Sequence, residues 1–186
     1  MIVQGAKMNP QAASAGENIL HLQQALELIG RLTDEQFTQC PSAPFRGGVG
    51  SQFRHCIDFY GCFLAGLGSG RIDYGHRDRD PQTEKDRGHA AARIGSVIEA
   101  LRGIDAGDLD RAVDVRSEEG SSGEAAWCRS SVHRELQFLS SHTVHHHALI
   151  VALLLAQGCS AGNDLRGFGV APSTLAHWEK AGSGVA

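Results

Sequence analysis

Residues 131–157 read SVHRELQFLSSHTVHHHALIVALLLAQ, a run with neither proline nor glycine. Within it Val132, Leu139, Leu149 and Leu153 recur at the steps of one helical face, which predicts a single long amphipathic helix. Four of the chain's ten histidines, His142, His145, His146 and His147, fall inside it. His142 and His146 sit on the apolar seam between Leu139 and Leu149. At about 100° per residue they point about 40° apart, so both rings can reach one ion. A lone inward histidine more often just bonds a backbone carbonyl. Two unpaired imidazoles in an apolar seam are costly to bury, and a shared cation satisfies both. His145 is an alternative to His146, as an i, i+3 partner of His142. His147 is expected to point away, toward solvent or an interface.

Three more long helices are expected upstream. The first covers about Ala15 to Leu32, with Ile19, Leu22, Leu26 and Ile29 inward; the break Cys40-Pro41-Ser42-Ala43-Pro44 follows it. The second covers about Val49 to Leu67, with Phe53, Ile57, Tyr60, Leu64 and Leu67 on one side, and ends at Gly68-Ser69-Gly70. A polar connection, Arg71 to Pro81, leads to a third helix from about Gln82 to Leu101, whose Glu84 and Asp86 suit a helix start. Between 102 and 130, Val113–Val115 and Ala125–Cys128 are strand-like enough for a small hairpin turning at Gly120–Gly123. After Gly158 the tail is loop-like until Pro172, which opens a short helix through Lys180. The expected fold is all-α, a four-helix bundle with one long connection. It forms one domain over residues 1–186, core about 15–157 and tail 158–186.

Composition narrows the function. Apolar residues make up 41% and charged residues 20%, with a net charge of −4 and no basic stripe, so nucleic acid is not an expected partner. The start of the chain lacks the charged and apolar pattern of a signal peptide, and the run Ala148–Ala156 is short for a membrane span. Five cysteines without a C-x-x-C pair suit a reducing compartment, so the cytoplasm is the expected location. Phosphate-loop, dinucleotide-turn and serine-elbow signatures are missing, as are His-Glu-x-x-His and the paired Glu-x-x-His of di-iron bundles.

Two histidines need a third ligand from a facing helix. His55 is on the second helix but at the edge of its apolar arc, opposite Phe53 and Ile57; His21, His76, His89 and His133 compete, each expected at the surface. The segments Gln52-Phe53-Arg54-His55-Cys56-Ile57-Asp58-Phe59-Tyr60 and 134–147, with the helix order, resemble the DinB/YfiT-like metalloenzyme family over about Glu17 to Leu155. That family shares its name with a DNA polymerase that this chain does not resemble. The resemblance implies a divalent metal, often zinc or nickel, held by His55, His142 and His146. Some members carry an acidic residue two places after the last histidine, where this chain has Ala148, so those sulfoxide-synthase domains are a poor guide.

Three neutral imidazoles would leave a position open to water or substrate, unlike a closed structural zinc site. They would suit zinc, nickel, iron or copper. The resemblance implies a metal-dependent transferase or isomerase that uses a low-molecular-weight thiol cosubstrate on a small electrophile. A metal-assisted hydrolase and a non-catalytic metal or small-ligand binder are the alternatives. The expected partner is a small molecule, with no membrane; relatives often pair, and His145, His147 or the Trp178 tail would line a homodimer interface. Arg77 and Arg79 are expected to pair with Asp78 and Asp80 in a solvated loop, the alternative being an anionic substrate. Trp127 and Tyr60 are candidate pocket walls.

Overall fold

The computed structural model describes residues 10–40, 47–116, 126–159, 165 and 167–182. Among them are six α-helices: α1 (Pro10–Arg31), α2 (Asp34–Thr38), α3 (Val49–Leu67), α4 (Arg87–Arg102), α5 (Val132–Ala156) and α6 (Pro172–Lys180). One turn of 3-10 helix and a three-stranded sheet, β1 (Arg71–Asp73), β2 (Ala112–Arg116) and β3 (Cys128–Ser131), complete the described elements. The chain is mostly helical, as expected, but with six helices rather than the four of the expected bundle and the one short tail helix.

The four longer helices pack in alternation: α1 rests on α4 and α5, and α3 rests on the same two. Leu22, Phe53, Ile57, Ile94, Leu139 and Ile150, each at most 2% exposed, meet at their centre. A polar relay ties three helices there. Asn18 on α1 donates from Nδ2 to the Leu136 carbonyl (2.9 Å), the Tyr60 hydroxyl donates to Asn18 Oδ1 (2.7 Å), and Thr143 Oγ1 lies 3.0 Å from that hydroxyl. Buried polar groups persist where all partners are supplied, and this relay meets that condition.

Local chemistry explains the helix ends and the element that periodicity missed. Five residues of α2 are too few for a periodic pattern, but Thr33 and Gln36 form a capping box. Thr33 Oγ1 accepts from the Gln36 amide and Gln36 Oε1 accepts from the Thr33 amide. The third expected helix begins at Arg87 rather than Gln82, because Asp86 caps it by accepting from the His89 amide at 3.0 Å. Ser131 ends β3 and caps α5, accepting from the Arg134 amide at 3.2 Å, so the strand feeds directly into the helix.

Part of the expected polar connection is instead β1, which pairs parallel with β2 through Ile72 and Val115. Ile72 and Val113 are 0% and 1% exposed, so one face of the sheet joins the core. β2 and β3 pair antiparallel, Val113 opposite Ser130. The turn of the expected hairpin lies outside the described residues, as do the 41–44 part of the expected break and Ala125. Gly66 lets β1 approach α3: a Cβ there would come within 2.5 Å of the Arg71 carbonyl oxygen.

By length and composition α5 could cross a membrane. It carries Glu135, Thr143, His146 and His147 buried against the rest of the protein, a pattern that a core helix shares. Packing also continues past residue 157. Phe168 is 7% exposed and belongs to the core, and Gly169, at φ 74°, seats its backbone against α5 at Ala148.

Candidate metal centre

His142 and His146 project from one face of α5, and His55 meets them from α3. One ring nitrogen from each lies within 4.8 Å of the others. Ring centroids are 4.4 Å apart for His55 and His146, 4.5 Å for His142 and His146, and 5.1 Å for His55 and His142. The structure thus brings together the three histidines implied by the resemblance. His145 is exposed and outside the cluster, so the i, i+3 alternative is not the arrangement found.

The α3 side is built from Gln52, His55 and Phe59, at steps of three and four residues. Phe59 packs tilted against His142 at 4.3 Å between centroids, and Phe138 on α5 stacks on it at 5.5 Å. His146 Nδ1 lies 2.7 Å from Gln52 Oε1. Since that oxygen can only accept, His146 carries its proton on Nδ1 and presents a lone pair on Nε2. A metal-binding histidine commonly has such an outer partner. His142 Nε2 is buried without a hydrogen-bond partner among the described residues. Orphaned polar atoms of this kind are costly, and a cation at the cluster would satisfy this one. The donor set therefore fits a divalent metal. Gln52 was not singled out from the sequence, although its place three residues before His55 was a readable signal.

Burial is the main cause of low basicity here. It holds His55 at about 4, with His142 and Arg77 adding repulsion, and His142 at about 4, with His145 next in effect. His146 is held at about 3 by burial, then by His55 and His142. All three rings are neutral near pH 7 and can offer lone pairs. A cavity of about 680 Å3 opens over His55 and His146, walled in part by Ser51, Gln52, Arg54 and Lys85. An exogenous molecule therefore has a route to two of the three rings.

Several expectations are corrected. His147 does not face solvent or an interface: it is 1% exposed, stacked on Phe168 at 4.0 Å and edge-on to Phe53 and His21. His21 is likewise buried, at 6% exposure. The tail folding back over α5 and the close approach of α1 account for both. Arg77 leaves the loop and places Nη1 2.9 Å from His55 Nδ1, over the Phe59 ring at 5.4 Å. Asp78 and Asp80 pair instead with Arg93 on α4, at 3.0 and 3.2 Å. Trp127 stands under Arg71 and Arg116 beside the sheet, and Tyr60 is sealed in the polar relay, so neither lines the cavity.

The buried rings make an acid-lability prediction. His146 and His147 are held at about 3, against an ordinary 6.5, burial being the first cause for both. Between those values the unfolded chain binds more protons than the folded one. The stability is complete above about pH 6.5 and is lost as pH falls. Each ring contributes about 1–2 kcal/mol between about pH 7 and pH 5. The metal-free protein, melted in chelator, should lose about 5–10 °C of Tm across that window. A flat Tm would show that these rings remain hydrated in the folded state.

Comparison with known proteins gives a family match. Residues 18–150 match the family described as the DinB superfamily. A protein of Rhizopus delemar named FK506-binding protein 5 is 33% identical over 110 residues, covering 59% of this chain. The match spans only 28% of that protein's length.

Proposed function

The chain belongs to the DinB superfamily, and from that membership and the cluster we propose that His55, His142 and His146 hold one divalent metal ion, zinc or nickel. We propose further that the protein is a metal-dependent transferase or isomerase joining a low-molecular-weight thiol to a small electrophile. The observation that carries the metal reading is the convergence of three neutral imidazoles, one with an orphaned buried nitrogen, beneath an open cavity. A divalent ion held there supplies Lewis acidity and lowers the pKa of a thiol or water that reaches it.

The protein's own groups do the rest. Gln52 fixes the His146 tautomer, Phe59 and Phe138 shield the His142 side, and the cavity admits the thiol and its electrophile over His55 and His146. In the reaction the thiol sulfur bonds to the electrophilic carbon, the S–H proton passes to solvent, and a leaving group departs. In an isomerisation the thiol itself departs. In this reading the four longer helices form a bundle that serves as the frame of one domain. Its cysteines form no disulfide among the described residues, in keeping with a reducing cytoplasm.

The test uses metal-loaded protein with 2-mercaptoethanol or cysteine, read as thiol consumption and chloride release with 1-chloro-2,4-dinitrobenzene and as fumarate formation with maleate. Turnover should vanish on chelation and in His142→Ala. Ester hydrolysis without thiol would favour the metal-assisted hydrolase; inertness toward every pair would leave a binding protein. The outer partner has its own prediction: Gln52→Leu should weaken metal binding about 10–100-fold, because His146 loses the acceptor that sets its tautomer. Chelator competition reads this directly, and an unchanged affinity would remove Gln52 from the site.

A further inference from the structure

The cavity over His55 and His146 has one charge left over. Besides the neutral histidines, its described lining includes Arg54, Glu84 and Lys85 as charged side chains. Arg54 is engaged: its Nε donates to Glu84 Oε2 at 2.9 Å, and its Nη1 lies 3.5 Å from Asp58. That pairing matches Glu84 as well. Lys85 enters no ion pair or side-chain hydrogen bond among the described residues.

The fold also fixes where that charge stands. Lys85 lies in a turn whose amides converge on one oxygen: the Lys85 amide donates to the Gln82 carbonyl at 3.0 Å, and the Asp86 amide at 2.9 Å. Before it, Thr83 is 0% exposed and bonds Asp80 Oδ2 at 3.0 Å; after it, Asp86 caps α4. The turn is pressed on α3, since a Cβ at Gly50 would come within 2.3 Å of the Glu84 carbonyl oxygen. The Lys85 backbone is therefore anchored against the helix that carries His55, while the residue itself is exposed at the cavity wall.

Three neutral imidazoles leave the charge of a divalent ion unbalanced, and one thiolate beside it balances half. The remainder of that thiol extends along a cavity whose surplus charge is Lys85. We propose that Lys85 is the specificity-determining residue of the site: its ammonium holds a carboxylate at the far end of the thiol cosubstrate, whose sulfur lies at the histidine end. The electrophile, which approaches the sulfur, needs no such anchor. A lysine ammonium is a point charge on a flexible stem, so it selects the charge of its ligand rather than its outline. The inference rests on the metal and thiol reading above and adds the chemical class of the thiol to it.

The experiment first measures zinc affinity by chelator competition for wild type, Lys85→Gln and Lys85→Arg, which should agree because Lys85 is not one of the cluster ligands. Each zinc-loaded protein is then titrated with 3-mercaptopropionate against 3-mercaptopropanol, and with 6-mercaptohexanoate against 6-mercaptohexanol. Each pair has one length and differs only in terminal charge. At low salt wild type should prefer the acid of at least one pair by about three- to fivefold, the range of a solvent-exposed ion pair. The preference should fade as salt is raised, persist in Lys85→Arg and vanish in Lys85→Gln. A preference that survives in Lys85→Gln would overturn the inference while the metal reading stands. So would a wild type that binds acid and alcohol alike at both lengths. Zinc bound by none of the three proteins would overturn both.

Discussion

Untagged wild-type protein should hold about one divalent ion per chain by elemental analysis, and His142→Ala should hold none after the same dialysis. The expected loss of affinity is on the order of 100-fold or more, since one of three ligands disappears and two imidazoles alone make a weak site. His142 is the sharpest position to test because, of the three cluster histidines, it has a buried ring nitrogen, Nε2, with no hydrogen-bond partner among the described residues. Its truncation should therefore be tolerated in the metal-free fold while abolishing metal-dependent stabilisation. At a metal concentration 100 times Kd, wild type should gain about 2.7 kcal/mol, and the variant should gain nothing. His55→Ala should behave alike. An ion lost with His142→Ala but kept with His55→Ala would leave α5 as a ligand source and require another third ligand. Well-folded wild type that takes up no metal on reconstitution would sink the metal reading.

Phe53→Ala is the substitution expected to cost most stability, about 3–5 kcal/mol. Phe53 is 1% exposed, stacks on Phe37 of α2 at 6.1 Å and meets the edge of His147 at 6.4 Å. A five-residue helix such as α2 has no stability of its own, so losing its anchor should loosen the wall that carries Thr38 and Cys40 beside the cavity. Urea unfolding should show a lower midpoint with an unchanged m value. A loss under about 1 kcal/mol would mean that the neighbours collapse into the space. The variant should still bind metal below its unfolding midpoint, because Phe53 touches none of the three cluster histidines in the ring contacts described.

How much of this was legible in the chain follows from the distance over which each feature is decided. The long helix and the pairing of His142 with His146 are local: a helical repeat places residues four apart on one face whatever packs against it. The capping residues Thr33, Asp86 and Ser131 were equally local, and attention to them would have supplied α2 and the true start of α4. His55 was ambiguous because its position at the edge of an apolar arc leaves the rotation of α3 undetermined. The family resemblance chose it, and packing of α3 on α5 placed it there.

The remaining features depend on segments far apart in sequence. Arg77 had Asp78 and Asp80 close to it in the chain, yet Arg93 on α4 pairs with both, and one Arg77 nitrogen lies against His55. His147 lay on the face that periodicity assigns to solvent, but Phe168 and Gly169 return from beyond the helix to cover it. The strand β1 is three residues long and exists through its pairing with β2, some forty positions later. The sequence by itself determined the helical class and two histidines on one face, because those rest on short-range periodicity. The third histidine's approach, the tautomer set by Gln52 and the arginine held against His55 were decided by tertiary structure, since each is a choice among partners that only packing brings within reach.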